Sequence, residues 1–341
     1  MEVSIIIVNY NGRKVLEACL QSILKIKTRN YEIIVVDNAS TDNTSSIIQK
    51  KYPQIKIITL TDNFGPSYAR NQGAKIASGR YLAFLDNDTK VDKNWLIAAN
   101  SLFTKNPKIG CLQSKLLLIN HPRYFDYAGD YLNQFGLLSH RATYGDFDHG
   151  QHDKEVPIFA AKSAGMFIRK KVFDQIGGFD PDYFIYMEET DLCWRAWLSG
   201  YQTFFCPKSI VYHGFSGSFK LLNKNFATYN LRFHGTKNYI LSLIKNLETT
   251  NLLKILPRQI TIYFFFSLYL FITGKFNESF LIIKGILWNL SSLKSTKLKR
   301  KHIQQQRVCS DKEIFPYIFV HENLIAKIRK SIFLKPSFNE K

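Results

Sequence analysis

Tyr81-Leu82-Ala83-Phe84-Leu85-Asp86-Asn87-Asp88 runs from five apolar residues straight into three polar ones. A short unbroken apolar run bounded by turn formers reads as a strand buried on both faces. Such strands belong to parallel sheets covered by helices. Toward the N-terminus the pattern repeats. Val3–Val8 and Glu32–Val36 are runs of the same kind and Ile55–Thr59 is a shorter one. Between them, Val15–Leu24, Thr44–Tyr52 and Ser67–Ala77 carry helical spacing. The alternation predicts an α/β fold with a Rossmann-like, mostly parallel central sheet and helices on both faces.

Three of these strands end alike: Val8 leads into Asn9-Tyr10-Asn11, Val36 into Asp37-Asn38, and Leu85 into Asp86-Asn87-Asp88. In an open α/β sheet ligands bind outside the carboxyl ends of the strands, so one edge collects side chains suited to base, sugar and phosphate. Asp86 and Asp88 flank a single residue there. Hard divalent ions are held by one or two carboxylates plus the substrate's own phosphates, and this pair can supply them. Asp and Asn are also turn formers; the two neighbouring strand ends favour the ligand reading.

Downstream, from about Ile109 to His213, the pattern is less regular and more aromatic. Gly177-Gly178 marks a turn, Thr190–Leu198 a helix, and Gln202–Phe205 and Ile210–Tyr212 two strands. Glu188, Glu189 and Asp191 cluster where that helix opens. They read either as caps and dipole complements or as the source of a general base that takes a proton from a hydroxyl. His213 follows a predicted strand, and as a neutral imidazole it is a candidate to complete a metal site with Asp88.

The formal charge is +19 over 341 residues, with 45% hydrophobic and 21% charged. This is enough apolar content for a packed core. Cys19, Cys111, Cys193, Cys206 and Cys309 form no C-x-x-C pair, against a disulfide framework or a zinc site. Glu2 and a short apolar run do not read as a signal peptide. Ile260–Thr273 is almost purely apolar between Arg258 and Lys275; at about 14 residues it falls short of a bilayer span, which takes about 20. Phe280–Leu290 is broken by Lys284, and the segment after Leu293 is basic. No helix-turn-helix, RRM or zinc-finger pattern accompanies the charge, so nucleic acid is not the expected partner. Apolar stretches bordered by Lys and Arg suit an anionic membrane surface; a core helix of the C-terminal region and a true span are the other readings of Ile260–Thr273.

The conjunction of motifs resembles family 2 glycosyltransferases. It comprises Ser4–Gly12, Ile34–Asp42, Asn63-Phe64-Gly65, Ala69–Gly73, Phe84–Thr89, Gly177–Asp180 and Glu188–Cys193, spread over residues 3–217, and is nearest the rhamnosyltransferase-like subgroup. The resemblance implies a GT-A fold in residues 1–218; the composition that follows predicts a helical, basic, membrane-associating region over 219–341. It implies a metal-dependent hexosyltransferase that moves a sugar, with inversion, from a nucleotide-diphosphate donor such as dTDP-rhamnose. The acceptor would be a hydroxyl of a glycan or lipid-linked acceptor in cell-surface polysaccharide synthesis. Asp37 would contact the base, Asn9 and Tyr10 would line the nucleotide pocket, and Asn38, Gly65, Asn71 and Asn87 would complete the set. Asp86 would face the ribose and diphosphate and share Mn²⁺ or Mg²⁺ with Asp88 and His213. The family's acidic pair ends in Asp; here it reads Glu188-Glu189, so Glu189 is the expected base with Asp191 in contention. The expected location is cytoplasmic, at the inner face of the cell membrane. The alternative is a catalytically inactive nucleotide-sugar-binding scaffold of the same fold.

Overall fold

The structure, a computed structural model, describes residues 1–214 and 228–323. The expected boundary at 218/219 lies outside the described residues. The first half folds as its patterning predicts. β1 (Val3–Asn9), β2 (Tyr31–Asp37), β3 (Lys56–Thr59) and β4 (Tyr81–Asp86) alternate with α1 (Arg13–Ile23), α2 (Thr44–Lys51) and α3 (Gly65–Ile76). All pair in parallel in the order β4-β1-β2-β3. Asn9 is level with Asp37, and Val8 with Asp86, so the polar strand ends share one edge.

The second half adds antiparallel strands, so the sheet is mixed around its parallel centre. It contributes β5 (Thr89–Val91), α4 (Trp95–Lys105), β6 (Ile109–Leu118), β7 (His121–Tyr127), β8 (Asp130–Asn133) and β9 (Leu138–His140). β10 (Val156–Pro157), β11 (Met166–Arg169), α5 (Lys170–Gln175), α6 (Glu188–Leu198) and β12 (Gln202–His213) follow. β11 lies antiparallel between β4 and β6, β12 runs parallel to β6, and β7 folds back on β6 as a hairpin. The two strands expected within 202–212 are one strand, whose register shifts between Cys206 and Ile210. Pro207 falls in that shift, and a proline has no N–H to give the ladder.

The C-terminal region is helical as expected: α7 (Gly235–Asn246), α8 (Thr249–Ile272), α9 (Phe276–Ser291), α10 (Leu293–Gln306) and α11 (Asp311–Ile318). It shares a core with the sheet. Leu243, Leu247, Ile255, Ile303, Ile314 and Ile318 pack in the same buried cluster as Phe84, Phe179 and Trp194. β13 (Phe319–Val320) adds in parallel to β8. The 260–273 stretch proves to be the end of a 24-residue helix, α8. By length and composition it is the one helix among the described residues apolar enough to cross a membrane.

Candidate active site

The strand ends open on a cavity of about 740 Å³. Tyr10, Asn38, Asp86, Asn87 and Asp88 line it from the sheet edge, and Glu188, Glu189 and His213 line it from α6 and β12. Asn9 and Asp37 lie beneath this wall. Asn87 Nδ2 donates to Asn9 Oδ1 (2.7 Å), and Asn9 Nδ2 donates to Ser40 Oγ (3.1 Å) and Asp37 Oδ1 (3.3 Å). Asp37 also accepts from Ser40 and from Ser45 Oγ (2.6 Å). The expected direct contact of Asp37 with a base is therefore not preformed: its carboxylate is 2% exposed and already holds the loop after β2.

Two other expected ligand residues are architectural in this structure. Asn71 clamps the turn before α6, donating to Phe179 O (2.7 Å) and accepting from Phe179 N (2.9 Å), and it does not line the cavity. Gly65 opens α3 at φ +80°, where a Cβ would lie 2.7 Å from the Phe184 ring. A side chain there would be both strained and blocked.

At the start of α6, Arg70 organises three carboxylates. It is 5% exposed and donates to Glu188 Oε1 (2.9 Å), Asp86 Oδ1 (3.3 Å) and Ser163 Oγ, with Glu189 Oε1 at 3.8 Å. Ser163 in turn donates to Glu189 Oε1 through Oγ (2.7 Å) and N (3.2 Å), and its Oγ lies 3.2 Å from Asp86 Oδ1. Asp86 therefore turns to Arg70 and Ser163 rather than to a shared metal position with His213. Burial, then the Glu189 charge, pushes the Glu188 carboxyl up to about 8 against the pull of Arg70. One guanidinium cannot neutralise three carboxylates, and Glu188, the most deeply buried of them, is the one that burial favours in its neutral form.

That proton has a stability consequence. The folded pKa of Glu188, about 8, stands above its ordinary 4.5. The folded protein keeps a proton that the unfolded chain releases, so this group loses the protein stability as pH rises from about 4.5 to 8. Thermal unfolding scanned over that window will show a smaller decline in Glu188→Gln than in the parent. Parallel curves would remove the proton from Glu188.

Asp191, kept in contention for the base, is withdrawn from the cavity. Its side chain is fully buried, bonded to Arg195 Nε (2.8 Å), Lys245 Nζ (2.9 Å), Tyr183 OH (3.0 Å) and Asn246 Nδ2 (2.9 Å). Burial alone would raise its pKa, but Arg195 and Lys245 hold it well below the usual carboxylate range. It ties α6 to the C-terminal helices. The helix expected from Thr190 begins at Glu188, which fixes Glu188 and Glu189 in its first turn. The lead-in is strained: Phe184, Tyr186 and Met187 all have positive φ. Asn238 of α7 holds it from outside, with Nδ2 2.8 Å from the carbonyls of Tyr183, Ile185 and Tyr186. Strain of this kind persists where surrounding structure over-determines it.

The third group is Asp88, His213 and Asp126. Asp88 Oδ1 is 3.3 Å from His213 Nε2, and His213 Nδ1 is 3.1 Å from Asp126 Oδ2. Burial would lower the imidazole pKa, but hydrogen bonds with Asp126 and Asp88 push it up to about 10. Once the Nε2 proton is displaced, a carboxylate oxygen facing an imidazole whose second nitrogen is held by another carboxylate is a donor set that fits a divalent ion. Among the described residues no three such side chains converge to hold an ion by themselves, so further ligands would have to come from a phosphate-bearing substrate.

Arg70, Ser163 and Asp126 were not expected at the site. Arg70 carries a readable signal, as the one charge among the buried residues of α3. Ser163 and Asp126 stand in the irregular middle, where nothing local marks them.

This fold is the GT-A fold. The S. aureus TarS fragment 1–349, solved with UDP-GlcNAc, superposes with a TM-score of 0.56 at 18% identity, covering 90% of this chain and 88% of that one. The model of "Glycosyl transferase family 2" matches residues 4–177, and the chain belongs to that family. Poly-beta-1,6-N-acetyl-D-glucosamine synthase of Staphylococcus epidermidis is 25% identical over 212 residues, 62% of this chain and 49% of that protein. The Escherichia coli UDP-Glc:alpha-D-GlcNAc-diphosphoundecaprenol beta-1,3-glucosyltransferase WfaP is 46% identical over 88 residues, 25% of this chain and 35% of that protein. The chain thus spans about half the length, or less, of these curated relatives.

Proposed function

We propose that the protein is an inverting glycosyltransferase that moves a sugar from a nucleotide-diphosphate donor to a hydroxyl of a glycan or lipid-linked acceptor in cell-surface polysaccharide synthesis. One observation carries the reading. Ser163 Oγ touches both Asp86 (3.2 Å) and Glu189 (2.7 Å), so the strand-end wall and the acidic helix start face one cavity. A donor held at the first and an acceptor at the second would meet there.

In this reading the residues divide the work. Tyr10, Asn38 and Asn87 bind the nucleotide portion. Asp88 and His213 would hold Mn²⁺ or Mg²⁺, which supplies charge neutralisation of the diphosphate. Arg70 keeps Asp86 and the two glutamates in place. Glu189 takes the proton of the acceptor hydroxyl; the oxygen forms its bond to the anomeric carbon as the bond to the diphosphate oxygen breaks, and the electron pair leaves with the diphosphate. UDP- and dTDP-sugars, dTDP-rhamnose among them, are the donors to try first. The reading puts the enzyme at the cytoplasmic face of the cell membrane.

A panel of nucleotide-diphosphate sugars tested by thermal shift, with and without Mn²⁺, identifies the donor. A ligand at a hundredfold excess over its Kd stabilises by roughly 2.7 kcal/mol. Asp88→Ala is expected to lose the Mn²⁺-dependent part of the shift, and transfer with it, while remaining folded. Near-normal turnover by Asp88→Ala would sink the role of Asp88. A panel in which a donor binds but is neither hydrolysed nor transferred would leave the inactive scaffold.

A further inference from the structure

The end of α8 and the start of α9 form a helical finger that the rest of the described protein leaves largely uncovered. From Phe264 to Ile272 the buried residues are Ser267 and Leu270, and Ser267 pairs with Ser279 of α9. The other faces carry Phe264, Phe265, Leu268, Tyr269, Phe271 and Ile272, all exposed, with Phe265 at 62% and Ile272 at 74%. The chain reverses at Gly274, φ +76°, and α9 returns with Phe276 and Phe280 also exposed. A contiguous aromatic surface of this extent marks a docking site.

Charge selects the occupant. Exposed Lys254, Arg258 and Lys284 lie on the two finger helices, and exposed Lys294, Lys297 and Lys301 on α10, which follows directly. Glu278, the one acidic residue of α8 and α9, is paired with Arg232 (2.8 Å). Aromatic and aliphatic side chains bordered by exposed cations match the headgroup–acyl boundary of an anionic bilayer. The apolar part of α8, Ile260–Ile272, rises roughly 20 Å at 1.5 Å per residue, short of a hydrocarbon core of about 30 Å. Lys275 sits at the turn, where its long stem lets the ammonium stay at headgroup level. Both features suit a finger lying along the surface rather than crossing.

We propose that the α8–α9 finger is a membrane-docking element that embeds in one leaflet of an anionic bilayer and brings the mouth of the cavity to the lipid surface. The base of the finger adjoins that mouth. The Arg232 that pairs with Glu278 also lies over the Phe266 ring (5.1 Å), and its neighbours Asn230 and Leu231 line the cavity with Tyr239. Leu231 is exposed. An acceptor that enters from this side is one anchored in the same leaflet; this second part rests on the glycosyl-transfer reading, and the docking itself does not.

The test is flotation of the full chain with phosphatidylglycerol-containing vesicles, against phosphatidylcholine vesicles, with Phe265→Glu, Leu268→Glu and Phe271→Glu combined as the variant. These positions face solvent, so Tm and donor hydrolysis are expected to be unchanged. The parent is expected to float with the anionic vesicles and to stay bound at about 1 M salt, where the Debye length shrinks to about 3 Å. The variant is expected to lose vesicle affinity by roughly a hundredfold or more, as three large apolar side chains no longer enter the bilayer. A parent that does not float, binding that washes away in salt, or a variant that floats equally well would each overturn the proposal. So would a parent that is dimeric without vesicles and a variant that is monomeric, which gives the finger to a second copy of the chain. A parent that floats yet neither hydrolyses nor transfers any donor would retain the docking element and fail the functional reading.

Discussion

Glu189→Gln is expected to cut transfer by about 10²–10⁴-fold, the usual worth of a positioned proton acceptor, while leaving the fold and donor binding intact. The side chain is 14% exposed and accepts two hydrogen bonds from Ser163. A glutamine can still accept both through its carbonyl oxygen and still fills the same space, but it cannot take a proton from a hydroxyl. Steady-state transfer with the donor found by thermal shift, alongside the donor-induced shift of the variant, separates chemistry from binding. A variant within about tenfold of the parent would move the base elsewhere, since a smaller loss falls below the range expected of a general base.

Arg70→Met carries the largest expected effect on stability. The guanidinium is enclosed between Glu188, Asp86 and Ser163, with the Phe179 ring 5.6 Å away. Methionine fits the slot but leaves the buried Glu188 carboxyl without its donor and Asp86 and Glu189 without their cation. Removing one partner of a buried ion pair costs about 3–5 kcal/mol, against a total stability of about 5–15 kcal/mol for an ordinary domain. Denaturant unfolding should show the loss, and transfer should disappear with it as Asp86 and Glu189 lose their common anchor. A single variant within about 1 kcal/mol of the parent would show that the carboxylates re-pair or hydrate without Arg70.

The regular half of the molecule was open to reading because its signals are local. The apolar runs of β1, β2 and β4 sit within a residue of their expected positions, and the polar ends they deliver lie level on one edge. The irregular middle was not legible in the same way. β11 enters the sheet between β4 and β6 although β6 precedes it by some fifty residues, and no pattern within Met166–Arg169 specifies those neighbours. Asp126 reaches the site through the β6–β7 hairpin, whose register slips twice. The C-terminal helices were expected as a region apart, yet Lys245 of α7 and Lys299 of α10 both pair with Asp180, in the turn before α6.

From the chain alone came the strand–helix alternation, the edge on which the ligand side chains gather, and the Asp86-Asn87-Asp88 run that ends its central strand. These depend on hydrophobic period and covalent adjacency, which neighbours in sequence share. Tertiary structure decided which acidic residue of α6 faces the cavity. Glu189 and Asp191 are two positions apart, but one meets Ser163 at the cavity wall and the other is sealed among Arg195, Lys245 and Asn246. It also decided that Asp86 belongs with Arg70 while Asp88 belongs with His213. A carboxylate takes its role from the charges and burial around it, and its partners here stand up to 118 residues away; folding alone brings them within hydrogen-bond reach.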